Sequence, residues 1–233
     1  PLSPQFTTAG SVDVIEEIEP NNVNTSGQEV YPGDVLRGDV DMWDDRHDYF
    51  TVWLESGQTS IHPDGGWLIT HLGDEDGGVY KLNLNGDLIP YLLEVNGQLL
   101  PPTNYVHIDN LGRVWVTVST RLIPRILGCK PNFKDGFIIL IDEEKPRIVA
   151  DNLGFTNECL IHPVTGDLYV NETFSRCLSK FSVTSNGHLL NKKTVVEFGI
   201  GEFPDGFAFD IEGGVWVTCV VSNKLIRISS NGE

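Results

Sequence analysis

The chain has 233 residues, 40% of them hydrophobic, with 24 Gly and 13 Pro, the make-up of a turn-rich all-β protein with ample sequence for a buried core. Its 33 acidic against 16 basic side chains give a formal net charge of −17, which repels phosphate backbones and anionic lipid and so argues against nucleic-acid and membrane partners. No apolar run reaches the length of a membrane span, the first residues lack the basic-then-apolar layout of a signal peptide, and Cys129, Cys159, Cys177 and Cys219 show neither CxxC nor zinc-knuckle spacing.

Residues 1–59 form a stretch of their own, expected to be a small β module or partial domain. Val35 and Val40 flank a turn region at Gly38, and Tyr49, Val52 and Leu54 are β-formers beside a charged loop. Asp39, Asp41, Asp44, Asp45 and Asp48 lack the spacing of an EF-hand and read as a solvated acidic loop. Three segments, Ile15-Glu-Glu-Ile-Glu-Pro-Asn-Asn22, Gly33 to Val40 and Asp44 to Val52, resemble the opening of a bacterial pre-peptidase C-terminal domain. That resemblance implies a β-sandwich module and an extracytoplasmic setting, periplasmic or secreted, with a cytoplasmic one as the alternative.

From about residue 60 a pattern repeats: a polar residue, a short alternating strand, an Asp or His turn, Gly, then an aromatic or apolar strand. Its anchors are His62, Asp109, His162 and Asp210, spaced by about 50 residues, the period of a four-stranded propeller blade. Residues 60–233 are therefore expected to be a β-propeller. The first blade is expected over 59–62, 66–72, 78–84 and 88–95, and the second over 105–109, 113–119, 136–142 and 146–150. The third is expected over 158–162, 167–172, 177–183 and 194–198, and the fourth over 206–210, 214–221 and 224–229. Fewer than four complete blades are visible, so the N-terminal stretch supplies missing strands or the propeller is incomplete. The insertion between Thr120 and Asp135 is long for a hairpin loop and is expected to cap one face.

The repeat also carries the chemistry. Five residues before each anchor stand Gly57, Asn104, Asn157 and Asp205, at the start of strands expected to line the central channel. Converging carboxamides and a carboxylate are hard oxygen ligands suited to Ca²⁺, with Zn²⁺ or Mn²⁺ as alternatives. Such a cation polarises an ester carbonyl, while Asp205 or a neighbouring carboxylate acts as general base and Asn104 orients water or substrate. Asn and Asp are also common turn-formers, and only their recurrence at one repeat position favours a site. His71 and Glu172 fall on second strands and His107 on an inner strand, all within possible reach of the channel mouth. Arg121 and Arg125, in the insertion, are candidates for binding an acidic substrate, against the ordinary reading of solvated surface charge. Cys159, Cys177 and Cys219 lie in apolar strands and read as small buried residues. No G-x-S-x-G elbow is present.

The segments Pro102-Thr-Asn-Tyr-Val-His-Ile-Asp109, Phe155-Thr-Asn157 with Leu168 to Thr173, and Pro204-Asp-Gly-Phe-Ala-Phe-Asp210 with Trp216-Val-Thr218 resemble the senescence marker protein/gluconolactonase/luciferin-regenerating-enzyme family. The resemblance implies a six-bladed propeller and a metal-dependent hydrolase of lactones. It implies Asn157 and Asp205 as metal ligands, Asp205 as the catalytic carboxylate and Asn104 as a contact to substrate or water. Two positions depart from the family pattern: Gly57 stands where a metal-binding Glu is expected, with Glu55 two residues away, and Pro102 stands where a substrate-binding Arg is expected. Glu158 is a substitute only if a bulge re-aims it, since a regular strand turns it away from Asn157. A non-catalytic propeller that binds a ligand or protein at its axial face, and an organophosphate hydrolase, are the competing readings. The sequence carries no signal for oligomeric state.

Overall fold

Residues 62–229, except 74, 143 and 144, are described by the computed structural model of the protein, together with the backbone of four short strands ahead of them. Those four are β1 (Val14–Glu16), β2 (Gln28–Val30), β3 (Val35–Arg37) and β4 (Phe50–Val52), with β1 paired parallel to β3 and β2 to β4. By its internal contacts the chain divides into two units, Pro1–Thr59 and Ser60–Glu233.

The second unit is a series of antiparallel sheets in chain order. The first sheet is β5 (Trp67–Leu72), β6 (Gly77–Leu82) and β7 (Leu88–Leu92), followed by a small hairpin of β8 (Glu94–Val95) and β9 (Gln98–Leu99). The second runs β10 (Thr103–Ile108), β11 (Val114–Val118), β12 (Gly136–Asp142) and β13 (Lys145–Leu153), and the third β14 (Thr156–Ile161), β15 (Leu168–Glu172), β16 (Cys177–Val183) and β17 (Leu189–Glu197). The fourth is β18 (Phe203–Phe209), β19 (Val215–Val220) and β20 (Lys224–Ile228). Each of the four larger sheets is a blade, and among the described residues the only helical element is a 3₁₀ turn, Arg125–Gly128, in the insertion. The expected single strand over 88–95 is instead broken at Leu93, because Asn96 and Gly97 take positive φ and turn the chain into its own hairpin.

Packing between blades follows from the two-residue period of the strands. All five residues of β11 are buried. Val114, Val116 and Val118 pack with Val79 and Leu92 of the first blade, while Trp115 faces the other way, onto Cys159, Leu168 and Val170 of the third. Strand β15 repeats the arrangement: Leu168 and Val170 face the second blade and Tyr169 joins Phe207, Val215 and Val217 of the fourth. A strand buried on both faces is held by both neighbours, so cutting Trp115 back to Ala is expected to cost about 3–5 kcal/mol. Cys159, Cys177 and Cys219 are buried free thiols within these layers. Burial pushes the Cys159 and Cys219 thiols up and that of Cys177 up to about 11, so none is a ready nucleophile.

The anchors Asp109, His162 and Asp210 close the turns after β10, β14 and β18, whereas the inner strand expected over 59–62 lies, but for His62, outside the described residues. Asp109 accepts from the backbone N–H of Leu111 and Arg113 and from the Trp115 indole at 2.9 Å, and Asp210 repeats the pattern with Glu212, Gly214 and Trp216. His162 takes the same place with its ring nitrogen, accepting from Val164 and Thr165 while its ring packs edge-on against Phe209. Gly65, Gly112, Gly166 and Gly213 follow at positive φ, the reason each turn carries a glycine.

Candidate active site

The inner strands begin earlier than the alternation suggests, at Thr103, Thr156 and Phe203. Each then loses register where the polar column passes: between Thr103 and Tyr105, between Thr156 and Cys159, and between Pro204 and Phe207. Asn104, Asn157 and Asp205 therefore sit inside strands, at β-bulges, rather than at strand starts.

A bulge frees backbone groups that need partners, and the preceding blade supplies them. Thr70 Oγ1 donates to the Asn104 carbonyl at 2.9 Å, Ser119 Oγ to the Thr156 carbonyl at 2.8 Å, Thr173 Oγ1 to the Pro204 carbonyl at 2.8 Å and Asn171 Nδ2 to the Asp205 carbonyl at 2.7 Å. In the reverse direction Thr103 Oγ1 accepts from the Gly78 N–H at 2.9 Å and Thr156 Oγ1 donates to the Val118 carbonyl at 2.6 Å. The column is thus fixed by a polar side chain at or near the end of each second strand. Those residues, Ser119, Asn171 and Thr173, escaped the sequence reading, although a Ser, Thr or Asn stands within two residues of the end of each second strand, at Thr70, Ser119, Asn171, Thr173 and Thr218.

Two of the column residues meet directly: the Asn157 carboxamide hydrogen-bonds the Asp205 carboxylate across the third and fourth blades. Asn157 Nδ2 also lies 3.3 Å from Thr173 Oγ1. Asn104 joins them through an intermediary, since its Nδ2 donates to Ser119 Oγ at 3.0 Å and Ser119 holds Thr156, the residue before Asn157.

The bulge also decides the position of Glu158. Its Oε2 accepts from the Phe207 N–H at 2.6 Å, so it faces the fourth blade as Asn157 does. Burial raises its pKa, and the negative charge of Asp205 adds to the rise against opposing interactions with Tyr105 and Phe207. Tyr105, from the second blade, is in turn held well above its usual pKa, by burial first and by Glu158 second. Gly206 leaves room for this carboxylate: a Cβ there would lie 3.0 Å from Glu158 Oε2.

Asn157, Glu158 and Asp205 carry hard oxygen ligands, with Asn157 turning its Nδ2 toward Asp205 in this structure and two carboxylates set against each other in a partly desolvated place. Beside them Asn171 Oδ1 is buried and without a hydrogen-bond partner among the described residues. That donor chemistry fits a divalent cation, whose charge would relieve the pair. Among the described residues no three His, Cys, Asp or Glu side chains converge, so such a site depends on its carboxamides.

Other candidates lie elsewhere. Glu172 is 1% exposed and turned inward, bound by Lys192 Nζ at 2.6 Å, Ser179 Oγ at 2.6 Å and the Gly154 N–H at 2.8 Å. Burial opposes its ionisation, but Lys192, Ser179 and Gly154 prevail and hold its pKa low. His107 lines a groove with Asp109, Arg113 and His162 at the turn end of β10, and burial lowers its pKa. His71 pairs with Asp76 at 3.3 Å on an exposed strand. Arg121 is engaged in a two-pronged pair with Asp151, 2.9 Å at each prong, and its guanidinium stacks 4.2 Å from the Phe137 ring. These contacts tie down the foot of the insertion. Arg125, by contrast, has a buried Nη1 with no partner among the described residues and interacts electrostatically with Asp205. Glu55 and Gly57 lie outside the described residues.

The pattern of the SMP-30/gluconolactonase/LRE-like region matches residues 22–233, and so includes most of the stretch read as an N-terminal module. A 6-deoxy-6-sulfogluconolactonase of Pseudomonas putida is 25% identical over 213 residues, covering 88% of this chain and 69% of the relative. Among solved structures, a gluconolactonase from Xanthomonas campestris superposes with a TM-score of 0.61 at 18% identity, over 74% of this chain and 58% of that one. A calcium-binding regucalcin from Agrobacterium tumefaciens superposes with a TM-score of 0.54 at 19% identity, over 73% of this chain and 59% of that one. These likenesses show the propeller fold, and the chain spans about three-fifths of the length of those structures.

Proposed function

Because the chain belongs to the SMP-30/gluconolactonase/LRE-like family, we propose that it hydrolyses a lactone or related ester at the column formed by Asn104, Asn157, Glu158 and Asp205. The observation that carries this reading is the Asn157–Asp205 hydrogen bond between two blades, with Glu158 delivered to the same place by the adjoining bulge. Relatives named as a sulfogluconolactonase and a gluconolactonase support a sugar lactone as the substrate class.

Asn157, Asp205 and Glu158 would hold a divalent cation, and the calcium-binding relative supports Ca²⁺ over Zn²⁺ or Mn²⁺. When bound, such an ion supplies Lewis acidity toward the ester carbonyl. The protein does the rest. Asp205 accepts a proton from the attacking water at a carboxylate oxygen. Asn104, steadied by Ser119, hydrogen-bonds water or substrate, and Tyr105 holds Glu158 in place.

The test is hydrolysis of glucono-1,5-lactone by the purified protein with and without chelator, followed by re-addition of Ca²⁺, Mn²⁺ or Zn²⁺. Turnover lost on chelation and recovered with one ion supports the proposal. Absence of turnover under every metal condition, in protein shown to be folded, would leave a binding scaffold as the better reading.

A further inference from the structure

The insertion between the second and third strands of the second blade runs against the charge of the rest of the molecule. It carries Arg121, Arg125, Lys130 and Lys134, four of the 16 basic residues, in a chain of formal net charge −17. The Arg121 guanidinium is consumed by the Asp151 carboxylate and the Asp135 backbone carbonyl. Arg125 is not. It opens the 3₁₀ turn Arg125–Gly128, whose far end is pressed against the blade: Gly128 is buried, and a Cβ there would come within 2.6 Å of Thr120 Oγ1. The turn is therefore seated and does not swing freely.

The guanidinium lies 5.6 Å from the centroid of the Phe155 ring. Phe155 is a costly place for an aromatic residue, since it is held at a φ of 65°, a region that bulky side chains avoid. Its N–H donates to the Leu153 carbonyl at 3.0 Å, its carbonyl accepts from Thr173 at 3.0 Å, and its ring meets Phe174 edge-on at 4.9 Å. Thr173 is the residue that also bonds Asn157 and Pro204, so the platform under Arg125 and the column share one support. Burial pulls the Arg125 pKa down, and Cys129 and Asp205 draw it back up. Even so, no ion pair joins Arg125 to a carboxylate among the described residues, and Nη1 is left buried without an acceptor. A desolvated guanidinium nitrogen without an acceptor among the described residues, beside an aromatic platform, is suited to a planar or tetrahedral oxyanion.

We infer that Arg125 recognises a negatively charged oxyanion group, a sulfonate, phosphate or carboxylate, carried by the substrate away from its reacting carbonyl. The inference rests on the lactonase reading for the rest of the substrate. It gives a role to the insertion and accounts for the absence of a basic residue at Pro102: the cation reaches the site from the insertion.

The test compares glucono-1,5-lactone with the same lactone bearing a 6-phosphate or a 6-sulfonate, using wild type, Arg125→Met and Arg125→Lys. Wild type is expected to prefer the anionic lactones, and the ratio of kcat/KM for anionic over neutral substrate is expected to fall about 10- to 100-fold in Arg125→Met and to recover in part in Arg125→Lys. An unchanged ratio in folded variants overturns the inference, as does a wild type with no preference, a result that needs no variant. Which of the two anionic lactones is preferred identifies the oxyanion. Calorimetric titration with glucitol and glucitol 6-phosphate separates this inference from the lactonase reading. Arg125-dependent binding of the phosphate without turnover of any lactone supports the anion site and removes the lactonase reading. Turnover of the neutral lactone with no Arg125-dependent anion binding does the reverse.

Discussion

The backbone N–H of Phe207 donates to the Glu158 carboxylate at 2.6 Å, joining the third blade to the fourth at the bulge that also carries Asn157. Glu158 therefore has two separable duties, as a hydrogen-bond acceptor for the backbone of Phe207, a buried residue, and as a charge beside Asp205. Glu158→Ala leaves the Phe207 N–H without its acceptor and is expected to cost about 1–3 kcal/mol in denaturant unfolding. Glu158→Gln keeps an acceptor and is expected to cost less than half as much, yet to weaken binding of a divalent cation as strongly as the alanine does. Equal stability losses in the two variants would show that the Phe207 bond contributes nothing measurable.

Gly206 tests the same carboxylate from the other side. An added methyl would stand 3.0 Å from Glu158 Oε2 and 3.5 Å from Thr218 Oγ1, so the carboxylate must give way by a few tenths of an ångström. Gly206→Ala is expected to lower kcat about tenfold, because small displacements of groups aligned with a reacting centre are expensive. Its melting temperature should change little, since the backbone there is not left-handed and Thr218 is the only other atom approached. A variant with full turnover would mean that Glu158 is either mobile or not used.

Much of the fold is legible in the sequence, for an identifiable reason. Asp109 and Asp210 each need a Trp six residues on and a Gly between, because one carboxylate caps the turn and receives the indole nitrogen. The resulting signature marks the inner turns of the second and fourth blades. The second strands are equally plain, since Val114-Trp-Val-Thr-Val118 must satisfy a neighbour on each face. The bulges are not plain. One unpaired residue changes which way Glu158 points without changing composition, so alternation alone assigns it to the wrong face. Nor does sequence separate Arg121 from Arg125. Both are insertion cations, and only the structure reveals that one is neutralised by Asp151 and that the other has a buried Nη1 without an acceptor among the described residues, beside an aromatic ring.

The Asp109 turn should make stability depend on acid. Burial works to raise the Asp109 pKa, but hydrogen bonds from Trp115 and Arg113, and the Arg113 charge, prevail and hold it below the usual carboxylate range. A depressed folded-state pKa means that the stabilisation is fully present above the unfolded-state value and disappears as pH falls through the folded one. Denaturant midpoints measured from pH 7 down to pH 3 should fall for wild type. Asp109→Asn, which keeps the shape but not the charge, should begin about 1–3 kcal/mol lower at pH 7 and decline less steeply. Parallel curves would mean that the Arg113 pair, at 2.7 Å, adds no pH-dependent stability.

Asp205 carries the sharpest expectation. Its carboxylate is bonded by the Asn157 carboxamide, and its carbonyl accepts from Asn171 at 2.7 Å, so its backbone is held by contacts that do not involve the charge. Asp205→Asn is nearly isosteric and leaves those backbone contacts in place. The protein should fold normally, with a small gain in stability if the repulsion between Asp205 and Glu158 is removed in metal-free protein. Turnover should nonetheless fall by a factor of about 10² to 10⁴, the range associated with losing a positioned base. Divalent affinity, read by calorimetry, should fall with it, because a neutral amide replaces the charged donor. If turnover falls while affinity is retained, the carboxylate acts on protons and the ion is held by other groups. If neither changes, the Asn157–Asp205 bond is a strut between blades, and the chemistry of the family is carried by other residues.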